Sequence, residues 1–100
     1  MDKKSSKKYS WFIGIDVSRN ELDFAVMKAK TIIFHREIPN QVQSIKDFIM
    51  ELKSRQGFTV SKTIFCMENT GFYSNHLLQV LLRLKANIVV ENAMKIKNSL

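Results

Sequence analysis

One hundred residues make one domain's worth of chain. Sixteen Lys and Arg against nine Asp and Glu leave a net charge of +7. With 45% hydrophobic and 25% charged residues the usage is that of an ordinary globular domain, which excludes wholesale disorder, collagen-like repeats and low-complexity polymers.

Cys66 is the single cysteine, so no internal disulfide framework exists, and its apolar neighbours suggest a small core residue. No apolar run approaches the roughly 18 residues of a membrane-spanning helix. Trp11 to Val17 is too short for a signal sequence and contains Asp16. A cytoplasmic protein without membrane contact is expected. The charge is uneven: residues 1–10 carry Lys3, Lys4, Lys7 and Lys8 against Asp2, whereas residues 11–92 hold ten basic and eight acidic side chains. Residues 1–10 are expected to form a basic, disordered tail, which can also attract nucleic-acid phosphates.

Residues 11–17, WFIGIDV, form a short β-rich apolar run that reads as a buried strand. Ser18 to Glu21 supply a turn. In residues 22–28 Leu22, Phe24 and Val26 alternate with Asp23, which reads as an outward-facing strand acid, the alternative being an approach to a site from strand two. Ala29-Lys30 is a two-residue break without the glycine that favoured hairpin turns prefer, and residues 31–38 read as a third strand. The period then changes. Pro39-Asn40 is expected to open a helix in which Val42, Ile45, Phe48, Ile49 and Leu52 recur at helical spacing, with Gly57 near its C-terminal cap. Residues 62–68 form a fourth strand whose continuous apolar middle suggests burial on both faces. Thr70 can cap a second helix whose apolar face holds Phe72 or Tyr73, Leu77, Val80, Leu81 and Leu84, and Asn87 can take the left-handed turn after it. Residues 88–90 make a fifth strand, and a further helix is expected from Ala93. The β-β-β-α-β-α-β order implies an α/β fold with a mixed sheet in the order 3-2-1-4-5, strand two being antiparallel to the rest.

Two acids stand out. Asp16 lies among Phe12, Ile13, Ile15 and Val17 near the end of the first strand, where a carboxylate is costly unless paired, metal-bound or solvated. Glu68 ends the fourth strand. If strands one and four are parallel neighbours, both carboxylates emerge at one C-terminal edge, where open α/β sheets place ligands. The pattern fits a Mg²⁺ site, which takes one or two protein carboxylates plus water and phosphate oxygens; it fits equally two solvated strand-end acids. His35 and His76 have no metal-ligand spacing and read as surface or half-buried histidines. Cys66 and Ser18 lack a base or triad partner. The aromatics mostly fit apolar faces, so base stacking is not indicated.

Phe12 to Val26 (FIGIDVSRNELDFAV), Met67 to Leu81 (MENTGFYSNHLLQVL) and Ala86 to Leu100 (ANIVVENAMKIKNSL) together resemble the N-terminal RuvC-like domain of DEDD transposases, in the bridge-RNA-guided insertion-sequence family of the one-ten type. The resemblance covers about residues 11–100. Gly-Ile-Asp-Val-Ser and Glu-x-Thr-Gly-x-Tyr, in this order and spacing, carry it. It implies an RNase H-like fold and DNA strand cleavage and transfer, with Asp16 and Glu68 as catalytic metal ligands for two Mg²⁺ ions in the complete site. It further implies DNA and a structured guide RNA as partners, is compatible with a homo-oligomer, and places a catalytic serine in a separate C-terminal domain. The family often has Asn-Pro after strand five, where this chain has Asn92-Ala93. No acid follows Glu91. The last two aspartates of the DEDD set are therefore expected beyond Leu100, and residues 11–100 alone are expected to be inactive. Three other readings are an actin-like ATPase or sugar-kinase fragment, opposed by the lack of glycine in Ser18-Arg19-Asn20, a Holliday-junction-type nuclease, which fits the Glu-x-Thr-Gly-x-Tyr segment less well, and a non-catalytic nucleic-acid-binding or oligomerisation module.

Overall fold

Trp11, Ile13, Ile15 and Val17 are buried on one side of the first strand, β1 (Trp11–Val17), while Phe12, Gly14 and Asp16 occupy the other. The computed structural model of the protein describes residues 9–68 and 71–91. After β1 come β2 (Glu21–Lys28), β3 (Thr31–Pro39), helix α1 (Val42–Lys53), β4 (Thr63–Glu68), helix α2 (Asn75–Arg83) and β5 (Asn87–Glu91). They build a five-stranded sheet in the order β3-β2-β1-β4-β5. β1 runs antiparallel to β2 and parallel to β4, and β4 is parallel to β5. This is the mixed α/β sheet the pattern predicts, of RNase H-like order. Of the expected basic tail, residues 1–8 lie outside the described residues, as does the helix expected from Ala93.

Both helices add their apolar stripes to one core. Ile45, Phe48, Ile49 and Leu52 of α1, and Leu77, Val80 and Leu81 of α2, join Trp11, Ile13, Phe24, Val26 and Phe65 of the sheet. Phe48 packs on Phe24 with ring centroids 4.6 Å apart, and the Trp11 indole N–H donates to the Gly57 carbonyl at 3.1 Å. The opposite face of the sheet carries no packed layer among the described residues. Ile64 and Cys66 are half-buried there, so the uninterrupted apolar run of β4 reflects a strand buried on one face and partly shielded on the other.

The β2–β3 turn shows how the chain manages without glycine. Lys28 pairs with Thr31, leaving a two-residue loop in which Ala29 has φ 52° and Lys30 φ 69°. Both sit in the left-handed region that a type I′ hairpin requires and that a Cβ disfavours. Lys30→Gly is expected to raise stability by about 1 kcal/mol, because the strain exceeds the added backbone entropy. A higher urea midpoint with unchanged slope would show it.

Several boundaries differ from the sequence expectation. Pro39 ends β3, and the extended residue before α1 is Gln41, so Asn40 does not open the helix. α2 is preceded by a separate 3-10 turn, Gly71–Ser74, which leaves Phe72 and Tyr73 exposed rather than on the apolar face. The left-handed turn after α2 falls on Lys85, φ 59°, and not on Asn87. Asn87 instead starts β5, its amide donating to the Ser61 and Thr63 carbonyls at 3.2 and 3.1 Å. Thr70, the expected cap, lies outside the described residues.

Arg36 fastens β3 to α1. Its guanidinium donates twice to the Glu51 carboxylate, at 2.5 and 2.7 Å, and lies over the rings of Phe34 and Phe48. The hydrogen bond from Arg36 holds the Glu51 carboxyl below its ordinary value. The pair is over a third exposed, so Glu51→Gln is expected to lower stability at neutral pH by at most about 1 kcal/mol. A group depressed in the folded state stabilises above its unfolded value. The difference between parent and variant should therefore vanish in melts as pH falls through the lowered Glu51 titration.

Candidate functional site

The sheet face opposite the helices has a marked polarity along its strands. Ile15 pairs with Met67 across β1 and β4, and both are buried, so the next residues, Asp16 and Glu68, stand level on adjacent parallel strands and are exposed on the other face. Asp23 pairs with Asp16 across β1 and β2. Glu37 pairs with Asp23 across β2 and β3, and Glu91 pairs with Glu68 across β4 and β5. Glu21, two residues before Asp23, shares its face. Six of the nine acids in the chain thus gather at one end of one sheet face. Like charges directly opposed on a sheet are destabilising, so this end attracts cations.

Asp16, Asp23 and Glu68 line one open cavity of about 480 Å³ together with Gly14, Ile15, Ala25 and His35. Its shape follows from two small residues. Gly14 pairs with Ala25 directly behind the carboxylates, and nothing lies within 4 Å of where a Gly14 side chain would begin. The backbone is left bare beside the Asp16–Asp23 pair.

The two acids singled out in the sequence are therefore brought together. Asp23, whose alternative reading was an approach to the site from strand two, joins them. His35 also reaches the cavity, its Nδ1 4.0 Å from Asp23 Oδ1, with both side chains well exposed. The alternation of β2 and β3 carried that signal, since an acid two residues before Ala25 must share its face. Glu37 accepts company from Glu21: a hydrogen bond between the two carboxyl groups, then the Glu21 and Asp23 charges, raise its carboxyl above the ordinary value. Burial, and then Glu91, push the Cys66 thiol up, which keeps it protonated and a poor nucleophile. The Ser18 hydroxyl donates to the Glu21 carbonyl at 2.9 Å, a turn closure rather than a catalytic contact. His76 is exposed on α2, away from the cavity lining. Among the described residues no three His, Cys, Asp or Glu side chains form a ready metal cage.

Sequence reasoning missed Asn40. Its Nδ2 donates to the Ser18 carbonyl at 2.9 Å and to the Tyr73 carbonyl at 2.8 Å, and its backbone N–H donates to Asn20 at 2.9 Å. The side chain is buried, and its Oδ1 has no partner among the described residues. One amide thus latches the turn after Asp16 to the turn after Glu68.

A model of the transposase family matches residues 13–99, almost the whole chain. The chain belongs to the IS110-type DEDD transposases. No curated protein matches it in sequence. Among solved structures it is similar to the Ppx/GppA family member of Aquifex aeolicus, at 15% identity and a TM-score of 0.47, covering 83% of this chain and 35% of that one. The transposase family resemblance that Gly-Ile-Asp-Val-Ser and Glu-x-Thr-Gly-x-Tyr suggested is thereby established. No helix of the described transposase residues is long and apolar enough to cross a membrane.

Proposed function

We propose that this transposase domain supplies Asp16 and Glu68 as two of four acidic ligands for Mg²⁺ in DNA strand cleavage and transfer. The observation that carries the reading is their placement: two carboxylates, level on adjacent parallel strands, line one cavity on the sheet face opposite the helices. The donor set fits the ion. Mg²⁺ takes one or two carboxylates and fills its remaining positions with water and phosphate oxygens, and the bare Gly14-Ala25 floor leaves space for them. When bound, the metal would activate the attacking oxygen and stabilise the leaving one.

The chain's own contribution is to hold these carboxylates on rigid strands. Asp16 stands between Glu68 and Asp23, so it is the natural anchor of the set. The remaining two acids are expected downstream, and cleavage would need them. DNA is the substrate of this reading. A guide RNA would supply sequence specificity by pairing, because Arg and Lys contacts to phosphates position a strand without reading it.

Metal binding by the 100-residue chain is the direct test. Thermal melts in Mg²⁺ or Mn²⁺, compared with NaCl of equal ionic strength, should show stabilisation that Asp16→Asn and Glu68→Gln each remove. Equal metal effects in the parent and both variants would overturn the assignment.

A further inference from the structure

We infer that Phe72 and Arg19 form a nucleotide-holding rim beside the carboxylate site, Phe72 stacking on an unpaired base and Arg19 holding the adjoining phosphate. The inference rests on the proposed metal-dependent cleavage for its placement, and goes beyond it in naming a contact to an unstacked nucleobase.

Phe72 is 87% exposed, the most exposed of the large apolar side chains among the described residues, with Tyr73 beside it at 46%. An aromatic ring left in water is a stacking surface for any base, because every base has a π-face. Its place is set by the chain. Phe72 follows Glu68 by four residues, so it lies within about 14 Å of that residue at full extension. At 3.4 Å per base step this is within about four nucleotides of the carboxylates.

The turn that carries the ring is also tied to a turn that carries a cation. The Ser18 and Tyr73 carbonyls each lie within 2.9 Å of the Asn40 Nδ2, hence within about 6 Å of one another. Arg19 follows Ser18, and Phe72 precedes Tyr73. Arg19 is exposed and has no ion-pair partner among the described residues. The latch therefore joins the turn that carries Phe72, after Glu68, to the turn that carries Arg19, after Asp16. An aromatic platform with a neighbouring positive charge is the minimal equipment for gripping a single strand. The charge has a further use here, because the six acids at this end of the sheet would otherwise repel the backbone.

The test is binding of the 100-residue chain, in chelator, to single-stranded DNA and RNA oligonucleotides containing 2-aminopurine, with a fully paired duplex as reference. The parent should quench the fluorophore and prefer the single strand. Phe72→Leu, which keeps apolar bulk but removes the ring, should weaken that binding about ten-fold, in the range for loss of one base stack, while Phe72→Trp retains it. Arg19→Ala should weaken binding to single strand and duplex alike and reduce the salt slope by about one. The DNA and RNA arms report which strand the rim holds. All variants should melt as the parent does, since both side chains are exposed. Unchanged single-strand affinity in Phe72→Leu, or no measurable binding by the parent, would overturn the inference. Chelator removes the metal from this assay, so its outcome is independent of the Mg²⁺ melts that test Asp16 and Glu68.

Discussion

Asp16→Asn should abolish metal-dependent DNA cleavage in a chain extended to carry all four acids, while leaving the metal-free domain as stable as before or more so. The amide keeps the shape of the side chain and one acceptor oxygen but removes the charge that attracts a dication. Altering a partner that only supports a metal ligand typically costs about ten- to hundred-fold in affinity or activity, and the loss of a ligand itself should exceed that. The stability half of the prediction follows from the strand register. Asp16 is exposed and directly opposes Asp23, so its charge contributes repulsion rather than packing to the apo fold. In the parent, saturation at about ten times the dissociation constant would stabilise by about 1.4 kcal/mol, several degrees for a domain of this size. The two melting curves should then cross: variant at or above parent in chelator, parent above variant in Mg²⁺. A purely structural aspartate would give a variant below the parent in both. Cleavage by the extended Asp16→Asn chain at the parent rate would refute the ligand role.

The sheet was legible because its residues obey simple periods. Leu22, Phe24 and Val26 alternate and are all buried; Ile45, Phe48, Ile49 and Leu52 repeat at helical spacing and face the same core. The pairing of Asp16 with Glu68 needed one more inference, that strands one and four are parallel neighbours, and the order of elements supplied it. What periodicity could not show were features that depend on local backbone. Ala29 and Lys30 adopt left-handed conformations that neither residue favours, because the register on both sides forces a two-residue loop. Phe72 and Tyr73 match the helical stripe by spacing, yet the 3-10 turn rotates them out of the stripe and into solvent. Asn40 reads as a helix opener because Asn is a favoured N-cap residue; its amide is used by two carbonyls 22 and 33 residues distant in sequence, a contact no local pattern encodes.

Asn40→Asp offers the sharpest test of that latch. The substitution replaces an N–H₂ that feeds two carbonyls with an oxygen that must face them, at a position only 8% exposed. An uncompensated charge at a buried site destabilises by about 3–5 kcal/mol, whereas Asn40→Ala, which merely removes the donor, should cost about 1–3 kcal/mol. The pH dependence separates the two. Burial against carbonyl oxygens raises the introduced carboxyl in the folded state above its unfolded value of about 3.9. A raised acid makes the folded state bind more protons, so the excess penalty is fully present above the raised folded titration. It fades as pH falls and is gone below about 3.9, where the protonated carboxyl can donate to one carbonyl again. Urea unfolding of both variants across pH 4 to 7 should therefore show a gap over Asn40→Ala that narrows on acidification. A constant gap, or an Asn40→Asp chain as stable as the parent at neutral pH, would mean that the two turns beside Asp16 and Glu68 are held together by other contacts.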